Sequence, residues 1–188
     1  MRRLVVHGCT LIAALLGLSA QAQTITLAGP GNQLGIAVGA SGAGVSTVSF
    51  TLGSQAIGTP VPQSGAAIPI EVAFRSRAGG AVRTAQLTAN PAAAFPNGLT
   101  SGANTVPWTE ISWTVANTTT NGFTTTVTSP STGSFPAVFP TAVLISLRCA
   151  TGNRFCYIQS DYTFSYKNTN VVAAGTYSGT MTYTVSAF

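Results

Sequence analysis

Tyr177-Ser178-Gly179-Thr180-Met181-Thr182-Tyr183-Thr184-Val185 decides the fold class of this chain. Its odd positions carry Tyr, Gly, Met, Tyr and Val, and every even position is Ser or Thr. Successive side chains of a strand point to opposite faces, so a period of two predicts a strand with one face in a core and one in water. A slip of one residue would bury the hydroxyls and expose the tyrosines, which fixes the register firmly.

The same pattern recurs outward from this segment. Val48, Phe50 and Leu52 alternate with Ser49 and Thr51, and Ile68, Ile70, Val72 and Phe74 alternate with Pro69, Glu71 and Ala73. Ile111, Trp113 and Val115 follow it, as do Phe123, Thr125 and Val127, and then Tyr162, Phe164 and Tyr166. Gly, Pro, Asn and Ser clusters at 39–44, 58–65, 78–81, 90–104 and 129–136 separate the runs. Many short strands with such punctuation predict a sandwich or barrel, and the uneven turns with no blade repeat favour the sandwich. Pro69 lacks a backbone donor, so its strand is expected at an edge or to start there. Thr24 to Gly44 is ambiguous: Thr24–Leu27 has strand character, and the Gly/Ala/Ser stretch after it reads as loose. The Thr-rich stretch 117–132 is kept in the fold because Thr suits strands and Phe123 and Val127 give it an inward face.

The N-terminus has another character. Met1-Arg2-Arg3 is cationic, Leu11–Leu18 is apolar, and Ala20 and Ala22 place small residues at alternate positions. These are the three parts of a secretory signal peptide, and the apolar run is shorter than the roughly 20 residues that span a bilayer. Residues 1–22 are expected to be removed, leaving 23–188 as one domain in the periplasm, at the cell surface or outside the cell. Cys9 precedes the apolar run, where a lipoprotein cysteine would follow it, so no lipid anchor is expected.

Cleavage there also removes His7, the only histidine. A Ser-His-acid triad is then impossible, and no imidazole is left to activate a thiol. Glu71, Glu110 and Asp161 are the only acids of the chain, and their strand parity reads them as surface groups rather than a hydrolytic pair. No acidic cluster suits calcium and no glycine-rich loop opens a helix for phosphate. No enzymatic activity and no cofactor are expected. Cys149 and Cys156 flank Gly152-Asn153, and a two-residue turn there sets residues summing to 305 opposite each other, pairing the cysteines as a disulfide in an oxidising compartment. Two thiolates alone do not close a zinc site.

Two surface features are candidates for ligand contact. Arg75, Arg77 and Arg83 flank Gly79-Gly80, and Arg75 and Arg77 share the outward parity of Glu71, giving a basic rim that suits acidic groups or simply solubilises an edge. So few bases in a secreted chain do not predict nucleic-acid binding. Trp108 lies an odd number of residues from Trp113, so on one strand the two indoles would face opposite ways. Trp113 goes inward with Ile111 and Val115, and Trp108 goes outward, as a sugar platform or as a cover for the core rim.

The C-terminus, Gly175-Thr176-Tyr177 through Tyr183, Val185 and Phe188, resembles the last strand of bacterial chaperone–usher pilins and, more closely, of spore-coat-U-like secreted proteins. The resemblance implies an antiparallel β-sandwich of immunoglobulin-like or pilin-like type. It also implies a structural or adhesive subunit of fimbrial or surface-coat kind, with a periplasmic chaperone, homologous subunits or a surface glycan as partners. Gly175, Tyr177, Gly179, Met181, Tyr183, Val185 and Phe188 form the expected contact strand, unless that strand instead completes the core. The alternative reading is a stand-alone carbohydrate-binding module carried by Trp108 and exposed tyrosines.

Overall fold

A computed structural model describes residues 32–39, 45–75, 84–120, 126–128, 132–137, 142–148 and 155–187. The strands there are β1 (Gln33–Val38), β2 (Val45–Leu52), β3 (Val61–Pro62), β4 (Ile68–Arg75), β5 (Thr84–Pro91), β6 (Leu99–Ser101), β7 (Asn104–Val106), β8 (Ile111–Thr120), β9 (Thr126–Thr128), β10 (Gly133–Ser134), β11 (Ala142–Arg148), β12 (Phe155–Tyr166) and β13 (Gly175–Ala187). A 3-10 turn, Trp108–Glu110, leads into β8. Two antiparallel sheets pack face to face as an all-β sandwich. The first runs β1-β4-β12-β8-β10, with β3 beside the end of β12; the second runs β7-β6-β13-β5-β11-β9, with β2 on the other flank of β13.

Alternation builds the core between them. On β12 every second residue from Cys156 to Tyr166 is buried, and the residues between are half-buried. Val48, Phe50 and Leu52 of β2, Ile68, Ile70, Val72 and Phe74 of β4, and Tyr177, Met181 and Tyr183 of β13 are buried as their parity predicts. Each large side chain of this kind contributes about 1.5–3 kcal/mol by leaving water. The tyrosine hydroxyls are not stranded by that burial. Tyr162 donates across the sandwich to the Leu144 carbonyl at 3.1 Å, Tyr177 to Ala173 O at 2.9 Å, and Tyr183 shares a 2.8 Å hydrogen bond with Ser46. A buried tyrosine pairs its polar tip in this way or pays desolvation.

The topology bears on three expectations. β4 is not an edge strand, because β1 and β12 flank it, but the other alternative is met: Pro69 is at its start, as second residue, with its carbonyl accepting Gly39 N at 2.8 Å. The strands on either side of Gly152-Asn153 do not form a hairpin: β11 pairs with β5 and β9 in one sheet, β12 with β4 and β8 in the other. The loose reading of the Gly/Ala/Ser stretch gives way at Gln33–Val38, where β1 pairs with β4 over six residues. Thr24–Leu27, Phe123 and Thr125 lie outside the described residues, as does the side chain of Val127.

Candidate functional site

The expected contact strand is interior in its middle and paired on one flank only toward its ends, with β2 alone over Gly175–Tyr177 and with β5 alone over Tyr183–Ala187. β13 pairs with β2 from Gly175 to Thr182, with β6 at Ser178 and with β5 from Met181 to Ala187. From Ser178 to Thr182 both flanks are occupied, so this segment completes the sheet and offers no edge to another chain. Gly179 faces the core, where an added Cβ would stand 3.1 Å from the Trp108 ring and 3.2 Å from Leu99 Cγ. Its missing side chain makes room for the indole. Phe188 lies outside the described residues.

Trp108 is the matching correction. It is 2% exposed, and its Nε1 donates to the Phe95 carbonyl at 2.8 Å. Trp108 does not share a strand with Trp113: it opens the 3-10 turn before β8, and both rings turn inward. Each packs against Phe135 with ring centroids 5.4 Å apart. An exposed sugar platform at Trp108 is therefore ruled out.

Further open backbone lies on other strands. Among the described residues, the outer strands are β1 and β10 of the first sheet and β2, β7 and β9 of the second. β7, β9 and β10 are two or three residues long. β2 is longer, but Ser64 N donates to Ser49 O at 2.7 Å and covers the middle of its outer flank. β1 reads Gln-Leu-Gly-Ile-Ala-Val, without charge or proline. The Gly39 N to Pro69 O bond fixes its phase: backbone groups at Gly35 and Ala37 turn toward β4, and those at Leu34, Ile36 and Val38 turn to the open side. Sheet edges are usually blunted by charge, proline or brevity. β1 has none of these, and beside it runs β13 of the other sheet, with Cα atoms of the two strands within 8 Å.

The outer face of the first sheet carries the chain's polar cluster. Glu71, expected on a solvent face, is only 5% exposed, and its Oε2 has no hydrogen-bond partner. Its strand neighbours on that face are Ala37 and Gln159, and Ala73, the next residue with its parity, pairs with Tyr157. Burial raises the Glu71 pKa, and a hydrogen bond from Tyr157 opposes that rise. The same burial, with the Glu71 charge beside it, pushes the Tyr157 phenol up to about 12. Asp161 keeps its outward place and accepts from Asn117 Nδ2 at 2.8 Å. Glu110 stands apart and accepts from Thr169 Oγ1 at 2.6 Å. Among the described residues no three His, Cys, Asp or Glu side chains gather as metal ligands. Arg75 is half-buried on this face, while Arg77 and Arg83 lie outside the described residues.

Cys156 is fully buried on β12 opposite Phe74 and does not stand as a free thiol. Cys149 and the turn after it lie outside the described residues. At the end of the sandwich where β2 stops, Leu52, Gln55, Ile57, Asn168, Val171 and Val172 line an open cleft, a feature the sequence reading did not anticipate. No described helix is long and apolar enough to cross a membrane. No family model, curated protein or solved structure matches the chain.

Proposed function

We propose that the protein is a secreted structural or adhesive subunit, of fimbrial or surface-coat kind, that acts through strand pairing and surface contacts. The observation that carries this reading is β1, an uncharged edge strand with its outward backbone groups at Leu34, Ile36 and Val38. An added strand supplies affinity through main-chain hydrogen bonds there. The hydroxyl-rich outward positions of β13 and the signal-like N-terminus are consistent with an exported coat or fibre component. Homologous subunits or a periplasmic chaperone are the partners this edge suits.

Hydrogen exchange on the exported protein tests it, with the protein free and then concentrated or mixed with outer-surface extract of the producing cells. Assembly or capture should slow exchange at the Ile36 and Val38 amides. A protein that neither assembles nor is captured, or that does so with those amides exchanging at the free rate, would overturn the strand-pairing reading.

A further inference from the structure

The outer face of the first sheet carries a strip that strand pairing does not use. Phe155, Tyr157, Gln159 and Asp161 occupy every second place of β12, half-buried on the face turned away from the core. Such neighbours stand about 7 Å apart along a strand. Tyr157 does not rise straight from this face. Its hydroxyl donates to Gln159 Oε1 at 3.2 Å, two residues along the same face. Directly opposite on β4, Ala73 is fully buried although it too points outward, and Glu71, the next residue of that parity, keeps only 5% exposure. The Glu71 carboxyl lies close enough to share the Tyr157 hydroxyl. One large side chain accounts for all of this: the ring leans from β12 across Ala73 toward Glu71. One of its faces lies on the sheet, and the other, in keeping with its partial exposure, meets solvent.

A polar fringe is set at the hydroxyl end of that ring. β12 shifts register against β8 between Gln159 and Asp161. Bulges re-aim side chains, and here Asn117 takes a left-handed backbone, φ 51°, with its Nδ2 donating to Asp161 Oδ2 at 2.8 Å. Tyr157 occupies Gln159 Oε1 and Asn117 occupies Asp161 Oδ2. The groups left to serve a ligand are the Gln159 amide nitrogen, the second Asp161 oxygen and the Asn117 side-chain carbonyl. Thr119, paired with Gln159, adds a hydroxyl beside them.

We infer that this strip binds a neutral sugar, stacked on the Tyr157 ring and hydrogen-bonded by Gln159, Asp161 and Asn117. A pyranose has an apolar C–H face with hydroxyls around its rim, and a ligand site of matching kind joins an apolar surface to a few fixed polar groups. Neighbouring sugar hydroxyls need a donor and an acceptor side by side, which an amide next to a carboxylate supplies. A purely apolar group laid on the ring would desolvate that fringe without pairing it. Asp161 meets a uronate or a sulfated sugar with like charge, which favours a neutral one. Tyr157, Gln159, Asp161 and Asn117 already hold one another, so binding orders little that is loose. With Trp108 buried, Tyr157 supplies the aromatic platform that Trp108 does not. The inference goes beyond strand pairing and does not depend on it. The strip is open rather than enclosed, so affinity for a single sugar is low and is read best with many copies displayed together.

A panel of immobilised neutral and acidic oligosaccharides tests it. The exported protein is applied as wild type, Tyr157→Ala, Tyr157→Phe, Gln159→Ala and, on the other sheet, Thr184→Ala. Wild type should be retained on neutral sugars, in high salt as in low. Tyr157→Ala and Gln159→Ala should each weaken retention about tenfold or more. Tyr157→Phe keeps the ring and should keep most of the binding, and Thr184→Ala should leave it unchanged. Circular dichroism checks that each variant is folded, and Gln159→Ala carries the test should Tyr157→Ala fail to fold. Retention on no neutral sugar, retention on acidic sugars alone that salt abolishes, or retention that Gln159→Ala and Tyr157→Ala leave intact would overturn the inference. Slowed exchange at Ile36 and Val38 on capture would in each of those cases still uphold the subunit reading.

Discussion

Glu71 shows at the scale of one residue why parity is not exposure. Its position on β4 assigns it to the outer face correctly, but Ala37, Ala73 and Tyr157 crowd that face, and the carboxyl loses its water. Because burial raises its pKa above the ordinary 4.5, the folded chain holds the Glu71 proton more tightly than the unfolded chain does. The contribution to stability is therefore complete below the ordinary value and is lost as pH rises through the folded value. Urea unfolding at pH 4.5 and pH 7 should show wild type losing stability over that window relative to Glu71→Gln. The glutamine should be at least as stable as wild type at pH 7, because it has no charge to desolvate. Equal pH slopes for the two proteins would refute this account. Trp108 carries the same lesson in reverse: counting an odd separation from Trp113 presumed one continuous strand, and three residues of 3-10 turn cancelled the inference.

At the scale of the element, strands whose inward residues are large were legible, and those whose inward residues are small or interrupted were not. β2, β4, β8, β12 and β13 announce themselves through aromatic and branched residues at every second place. β5 hides because two of its inward residues are Ala85 and Ala89, and β11 hides because the shift between Val143 and Ile145 breaks its period. β1 does alternate, at Leu34, Ile36 and Val38, but Gly35 and the glycine-rich surroundings mask it. What alternation does not encode is strand order, so the sequence could not say whether the last strand was edge or interior. Pairing on both flanks now settles the effect of a proline in β13. Thr180 O accepts Ala92 N at 2.8 Å on one side, and Thr180 pairs with Thr47 on the other. Thr180→Pro replaces the N–H on the flank facing Ala92 with a ring in mid-sheet, where prolines are avoided. It should lower stability by about 2–4 kcal/mol, measured by denaturant unfolding. A loss under about 0.5 kcal/mol would mean β13 behaves as an edge in solution.

At the scale of the molecule, the question is how the two sheets are tied together. Tyr162 already reaches from β12 to the Leu144 carbonyl, a polar contact through the core. Between Arg148 and Phe155 the chain passes from the second sheet to the first, so a Cys149–Cys156 bridge would clasp the crossover rather than a hairpin. With β11 and β12 in different sheets, the two cysteines are not opposed across a two-residue hairpin turn. What supports the bridge is that Cys9 and these two are the chain's only cysteines, and Cys9 lies in the segment expected to be removed. The ring is short, so the bridge should contribute near the low end of the usual range, about 2 kcal/mol. Peptide mapping of the exported protein without reductant should recover the two cysteines in one linked species. Cys149→Ser should then lower stability by that amount in oxidising buffer, and reductant should bring the wild type down to the same level while leaving the variant unchanged. The second comparison is the decisive one, because it separates a lost crosslink from a lost side chain. If reductant lowers wild type and Cys149→Ser alike, or neither of them, no bridge joins the sheets.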